Sequence, residues 1–531
     1  MRRNRNQVPE SDKGRGREWR LYDRRVAETH DYVVVGAGSA GAVLARRLID
    51  AGASVALVEA GGAATNPAID DPARSHELWF SPEDWAFRTV PQAAAANREL
   101  HWPRGKVLGG SSALNGMIVV RGHRADFDGW AMLGCPGWGW DDVLPLFRRS
   151  EDFDRGASEL HGAGGPLRVI TDYPRHPVNE AMVAASVAAG IPHDEDCNDG
   201  NPDGVSFAQL SIRDGHRETT ATAFLEPIAG EPRLRVITGV TVSALRFAGG
   251  RCVGAEGFEN GAPWAITASA EVILCAGAIG SPELLLRSGI GPADELAALG
   301  IEVRVDAPGV GRNLHDHLVV PVIVDSPRPI PPGLPGLTQL HSHLFWRSRS
   351  GLVAPDIQPL CFHVPVYDPW MEGPADAYTF YSGLIRPASR GTLRLRSAEP
   401  GVPPELDPQI LTCGSDLEAL VDSIGLCREI ISQPALADWT ATERYPGPGV
   451  RSREELRDYI RRTAVTYHHQ VGTCRMGLDG GAVVDPELRV NGVEGLRVAD
   501  ASVMPFVTSG NTAAATMMIA ERAADLVARG P

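Results

Sequence analysis

Three things are scarce in this chain: cysteine pairs, long apolar runs and positive charge. Its 531 residues include eight cysteines scattered from Cys135 to Cys474, none of them in a Cys-x-x-Cys pair. Neither a zinc site nor a disulfide framework is indicated, and free thiols in a reducing cytoplasm are expected. No run of about 18 apolar residues exists, so no membrane span is expected. The formal charge is −15, whereas a nucleic-acid partner needs a basic face.

Glycine and proline are plentiful, at 58 and 41 residues, which favours a loop-rich fold over a helical bundle. The length exceeds one simple core and predicts two consecutive or intertwined domains. Residues 1–30 hold nine Lys/Arg against five Asp/Glu and lack the apolar region of an export signal. They read as a loosely attached arm.

The stretch "DYVVVGAGSAGAVLARRLIDAGASVALVEAGG" (31–62) reads as strand, tight turn, helix, strand. Gly36-x-Gly38-x-x-Gly41 follows the first strand and opens the helix. The first glycine permits the turn, the second lets backbone approach a diphosphate, and the third lets helix and strand pack closely. Glu59 ends the second strand, placed to accept hydrogen bonds from a ribose. The motif with its context predicts dinucleotide binding and leaves NAD and FAD both open.

Two further segments have α/β texture: "EVILCAGAIGSPELLLRSGIG" (271–291) and the C-terminal "LRVADASVMPFVTSGNTAAATMMIAERAADLVARG", with a helix starting near Asn511. The regions around 130–220 and 320–460 differ, being rich in Trp, Pro and scattered His. The pattern predicts an α/β fold. A Rossmann-like domain is assembled from 31–130, 221–320 and 465–531, and an α+β domain with an antiparallel sheet from 131–220 and 321–464.

Four stretches carry a resemblance: "RGKVLGGSSALNGMIVVRGHRADFDGW" (104–130), "GAIGSPELLLRSGIG" (277–291), "GVGRNLHDHL" (309–318) and "TYHHQVGTCRMG" (466–477) with the C-terminal segment. In this order they resemble the signatures of the glucose–methanol–choline (GMC) oxidoreductases, in particular the choline dehydrogenase-like and alcohol oxidase-like branch. The resemblance implies FAD and oxidation of an alcohol by molecular oxygen or another electron acceptor. It places Gly36, Gly38, Ser39, Ala40 and Gly41 at the diphosphate, Glu59 at the adenosine ribose and Val242 at the adenine. Val107, Gly110 of the Gly-Gly-Ser-Ser run, Asn115, Gly116, Met117 and Ile118 fall along the isoalloxazine and ribityl chain. Asp500 and Ala501 fall near the diphosphate and ribityl, and Asn511 and Thr512 at the pyrimidine edge. Leu114 stands where some relatives carry a flavin-linking histidine, so non-covalent FAD is expected.

Alcohol oxidation moves a hydride from carbon to flavin N5 and a proton from the hydroxyl. Histidine suits the proton, since its ordinary pKa lies near 6.5, and such a base is worth ~10²–10⁴-fold. Anchored on the aromatic Tyr467, the resemblance makes His468 the base and Asn511 the donor that holds the substrate oxygen. His469 then receives no chemistry, and Asn511 is expected to cap the last helix. His315, Asp316 and His317 look like metal ligands by type, but one short loop gives poor geometry; no metal is expected, and they read as a structural loop. The alternative activity is a hydroxynitrile lyase-like reaction on the same scaffold.

Overall fold

The computed structural model describes residues 29–529. The first strand starts at Thr29, so the end of the expected arm is already sheet; the rest of that arm lies outside the described residues.

Two sheets organise the chain. In the first, Leu234–Ile237, Val55–Val58, Thr29–Val35, Ala262–Leu274 and Leu496–Val498 lie side by side and parallel. Val33, Val34, Val55, Ala56 and Leu57 are fully buried, as strands covered on both faces must be. Ala262–Leu274 is long enough to serve twice. Its second half joins the parallel set, and its first half closes an antiparallel meander with Arg251–Glu259 and Val240–Ala248. The parallel set comes from three separated parts of the chain.

The helices Gly41–Asp50, Gly277–Arg287 and Ala513–Ala528 follow strands of this sheet. The first buries Val43, Leu44, Leu48 and Ile49 and turns Arg46 and Asp50 outward. It is locked to the C-terminal helix by Arg47, whose guanidinium grips the buried Glu521 carboxylate at 2.8 Å. Arg149 Nε and Ser150 Oγ reach the same carboxylate at 2.7 and 2.6 Å. Removing one partner would strand a buried charge, typically at a cost of ~3–5 kcal/mol. The lock holds two helix N-termini in fixed relation.

The second sheet is antiparallel, in the order Thr442–Tyr445, Leu318–Asp325, Ala377–Leu384, Leu360–Phe362, Leu340–Phe345, Gly204–Phe207. Two boundaries differ from expectation. The division at 320/321 falls inside Leu318–Asp325, and Val465–Thr466, read as part of the Rossmann-like unit, pairs with that strand. An apolar strand cannot be divided without exposing it, so the sheet keeps both segments.

Candidate functional site

A single cavity of about 1620 Å³ runs between the two sheets. Sites for one small molecule usually occupy ~300–1,000 Å³, so this one has room for a dinucleotide and a substrate.

One end is the glycine turn. Gly36, Gly38, Ser39, Ala40, Glu59 and Val242 line it. Gly36 has φ 100°, and a Cβ there would meet the Cys275 carbonyl at 2.5 Å. Gly41 does not reach the cavity; a Cβ on it would strike the Gly36 carbonyl at 1.8 Å, so its work is the close packing of strand and helix. The Glu59 carboxylate accepts from the backbone N–H groups of Ala37 and Gly61, both at 2.9 Å. Burial pushes its pKa up while those donors oppose the shift.

The middle is lined by Gly110, Leu114, Asn115, Gly116 and Ile118 from one side and Asp500 and Ala501 from the other. Val107 and Met117, expected here, do not face the cavity. Val107 packs among Ala68, Ile69, Leu78, Ala113 and Leu114. Met117 takes a left-handed φ of 61° and packs in the cluster containing Leu210, Ile212 and Val319. The Asp500 carboxylate accepts from Gly277 N–H at 2.8 Å, Ser281 Oγ at 2.6 Å and Ser502 N–H at 2.8 Å. It thereby pins the helix at Gly277 to the C-terminal segment.

At the far end lies the C-terminal helix. It spans Ala513–Ala528 with Thr512 at the N-cap and no side-chain capping bond. Asn511 is thus not the cap. Its Oδ1 accepts from Gln358 Nε2 at 3.2 Å, and its Nδ2 lies 3.4 Å from His469 Nε2. Asn511, Thr512, Ala513 and Thr516 line the cavity, so a helix N-terminus, favourable to negative charge, opens on it. The turn at Ala40–Gly41 opens a second one at the other end, suited to a diphosphate. The cradle fits FAD at both ends.

The pairing of His468 with Asn511 expected from the sequence is not the one formed. His468 has φ 68°, a left-handed backbone that turns consecutive side chains different ways. The His468 ring lies edge-on to Trp79, centroids 5.1 Å apart, and its carbonyl accepts from Arg104 Nη2 at 2.5 Å. No contact joins His468 to Asn511; His469 makes that contact. Burial, with the nearby Arg104 and His101 charges, lowers the His468 pKa to about 3, and burial holds His469 well below 6.5. Both rings are neutral at working pH.

The loop read as bland stands directly behind His469. Asp316 Oδ1 accepts from the His469 backbone N–H at 2.7 Å. Its Oδ2 accepts from Gln470 Nε2 at 2.8 Å and from Thr466 Oγ1. Burial raises the Asp316 pKa to about 6. His317 Nδ1 lies 3.0 Å from His469 Nδ1. Among the described residues no group of His, Cys, Asp or Glu is arranged to hold a metal.

A signal for His469 was available. Gly472 has φ 91°, and a Cβ there would come within 2.6–2.8 Å of Asn313 and His315. This glycine is fixed by sterics, and His469 lies three residues before it.

The GMC oxidoreductase family model matches the chain in two parts, residues 30–319 and 387–520. The mitochondrial choline dehydrogenase of Homo sapiens is 39% identical, across 95% of this chain and 90% of that protein. An alcohol dehydrogenase [acceptor] of Pseudomonas putida is 38% identical, across 94% and 96%. Among solved structures, pyridoxine 4-oxidase from Mesorbium loti superposes with a TM-score of 0.89 at 38% identity, covering 93% of this chain and 98% of that one.

Proposed function

The chain belongs to the GMC oxidoreductase family, FAD-dependent enzymes of alcohol oxidation, and on that premise we propose that it oxidises a primary alcohol to the aldehyde with His469 as base. The contact between His469 Nε2 and Asn511 Nδ2 carries this reading, because it puts an acceptor and a donor side by side on the cavity wall. The substrate hydroxyl enters between them. His469 Nε2 takes its proton, and Asn511 Nδ2 donates to the oxygen as negative charge develops there. Bound FAD supplies the acceptor for the two electrons leaving with the carbinol C–H.

Ile118, Val319, Leu340, Leu360 and Phe362 line one apolar stretch of the cavity wall, with Tyr381. That wall suits an aliphatic or aryl chain better than a polyol, whose hydroxyls would lose water without gaining partners. Leu114 lines the flavin stretch and offers no nucleophile, so FAD is held without a covalent bond; acid denaturation should release all the flavin. The eight cysteines are free, seven of them fully buried, in keeping with a cytoplasmic protein. None of the relatives named above is a lyase, and no separate observation favours that reading.

The test is anaerobic flavin reduction across aliphatic, aryl, choline and sugar alcohols. Bleaching is expected first with apolar primary alcohols. Flavin that no alcohol reduces contradicts the proposal. Repeating the assay in air with peroxide detection separates dioxygen from another electron acceptor.

A further inference from the structure

His317 plays no part in binding or catalysis as so far described. It is fully buried, yet among the described residues it is the side-chain hydrogen-bonding partner of the far nitrogen of His469. That contact can run either way, since each Nδ1 could donate to the other. The groups at the two ends of the chain of bonds decide the direction.

At one end, Gln358 Nε2 lies 3.2 Å from Asn511 Oδ1 and 3.1 Å from His343 Nδ1. At the other, the backbone carbonyls of Ile385 and Thr508 act on the His317 ring; with Nδ1 directed at His469, the nitrogen left for them is Nε2, which makes no full hydrogen bond. Carbonyls accept only, so His317 must present Nε2–H to them. Its Nδ1 is then the lone pair, and His469 Nδ1–H donates to it. His469 Nε2 is left as the lone pair facing Asn511 Nδ2–H, and Asn511 Oδ1 faces the Gln358 amide N–H. Reversing both amides would aim a His317 lone pair at two carbonyl oxygens. Only the first direction matches a donor to an acceptor at every link.

We infer that His317 is a positioning residue that fixes the tautomer of His469, keeping the Nε2 lone pair on the substrate side; this rests on the base assignment above. When the substrate O–H bond breaks and Nε2–H forms, Nδ1–H stays shared with His317, and the new charge spreads over the His469 ring. The charged or titratable groups facing the pair are Arg386 and His315 toward His317, His468 and Arg104 toward His469, and the Tyr467 ring against both, with Asp316 on the backbone between them. Burial lowers the His317 pKa to about 3, so it remains an acceptor across neutral pH.

The experiment uses FAD-loaded His317→Leu and His317→Asn. Leucine removes the acceptor. Asparagine offers a carboxamide oxygen near the Nδ1 position. The Leu variant should reduce its flavin ~100-fold or more slowly, within the ~10²–10⁴-fold range of a lost base, by the same factor at pH 6 and pH 8. The Asn variant should stay within about tenfold of wild type. If His317→Leu fails to retain FAD, His317→Gln replaces it with the same expectation, because its amide reaches the Nε2 position instead. Equal losses in the Leu and Asn variants, both with full flavin, overturn the inference. So does a fast Leu variant beside a slow His469→Ala, which leaves the base assignment standing. If His469→Ala is also fast, the base assignment itself falls.

Discussion

The glycine turn and the histidine loop do comparable jobs at opposite ends of one cavity, and they differ in what determines them. At the glycine turn the backbone does the work. Gly36 and Gly41 are required because a Cβ would overlap Cys275 or Gly36 itself, and with a strand before it and a helix after it that spacing marks the turn. At the histidine loop side chains do the work. There a single left-handed residue, His468, decides which imidazole meets Asn511. Spacing is therefore sufficient for the first region and insufficient for the second.

A large effect that bears on this contrast is at Asn511. Asn511→Ala removes the donor beside His469 Nε2, and loss of one such donor costs roughly 10²–10³-fold. Stopped-flow flavin reduction should slow by about that factor with FAD content unchanged. An unchanged rate would show that the contact at 3.4 Å is incidental.

Gly36→Ala acts at the other end and should act differently. The left-handed backbone with a Cβ costs about 1–3 kcal/mol, and the clash with Cys275 adds to it. Lower FAD occupancy and a lower melting temperature are expected, while the flavin that remains bound is reduced at the wild-type rate. A normal FAD content would show that the turn has room to relax.

A smaller, graded effect concerns acid. Burial lowers the pKa of His317 and His363 to about 3 and of His341 and His343 to about 4. Unfolded histidines titrate near 6.5, so between about pH 6.5 and 4 the unfolded chain binds more protons and stability falls as pH falls. Asp316 and Asp368, raised to about 6 by burial, have the opposite sign, since their protonated folded forms lose stability as pH rises from about 4 to 6. The histidines outnumber them, and the melting temperature should drop between pH 7 and pH 5. A flat profile would mean that the buried rings are reached by water.

Much of the architecture was legible in the sequence, because buried parallel strands and glycine turns have local signatures. The segments returning to the first sheet were read from apolar runs such as Val33–Val35 and Val272–Leu274. The domain boundary was not, since nothing local marks Leu318–Asp325 as belonging with Val465–Thr466. Most of the expected cofactor positions line the cavity. Gly41 instead packs strand against helix, and Val107 and Met117 also stay out of the cavity, because the turns at Gly110 and Met117 direct their neighbours inward. The loop at His315–His317 was placed but its partner was not. Its value depends on contacts 152 and 153 residues away, beyond the reach of any local pattern.

The adjacent histidines divide the roles at the far end of the cavity, and which of them takes the proton can be measured. Single-turnover flavin reduction by one good alcohol, in FAD-loaded His468→Ala and His469→Ala side by side, tests it most directly. The account predicts a loss of ~10²–10⁴-fold for His469→Ala and less than about tenfold for His468→Ala. The reverse order would contradict it and return the proton to His468.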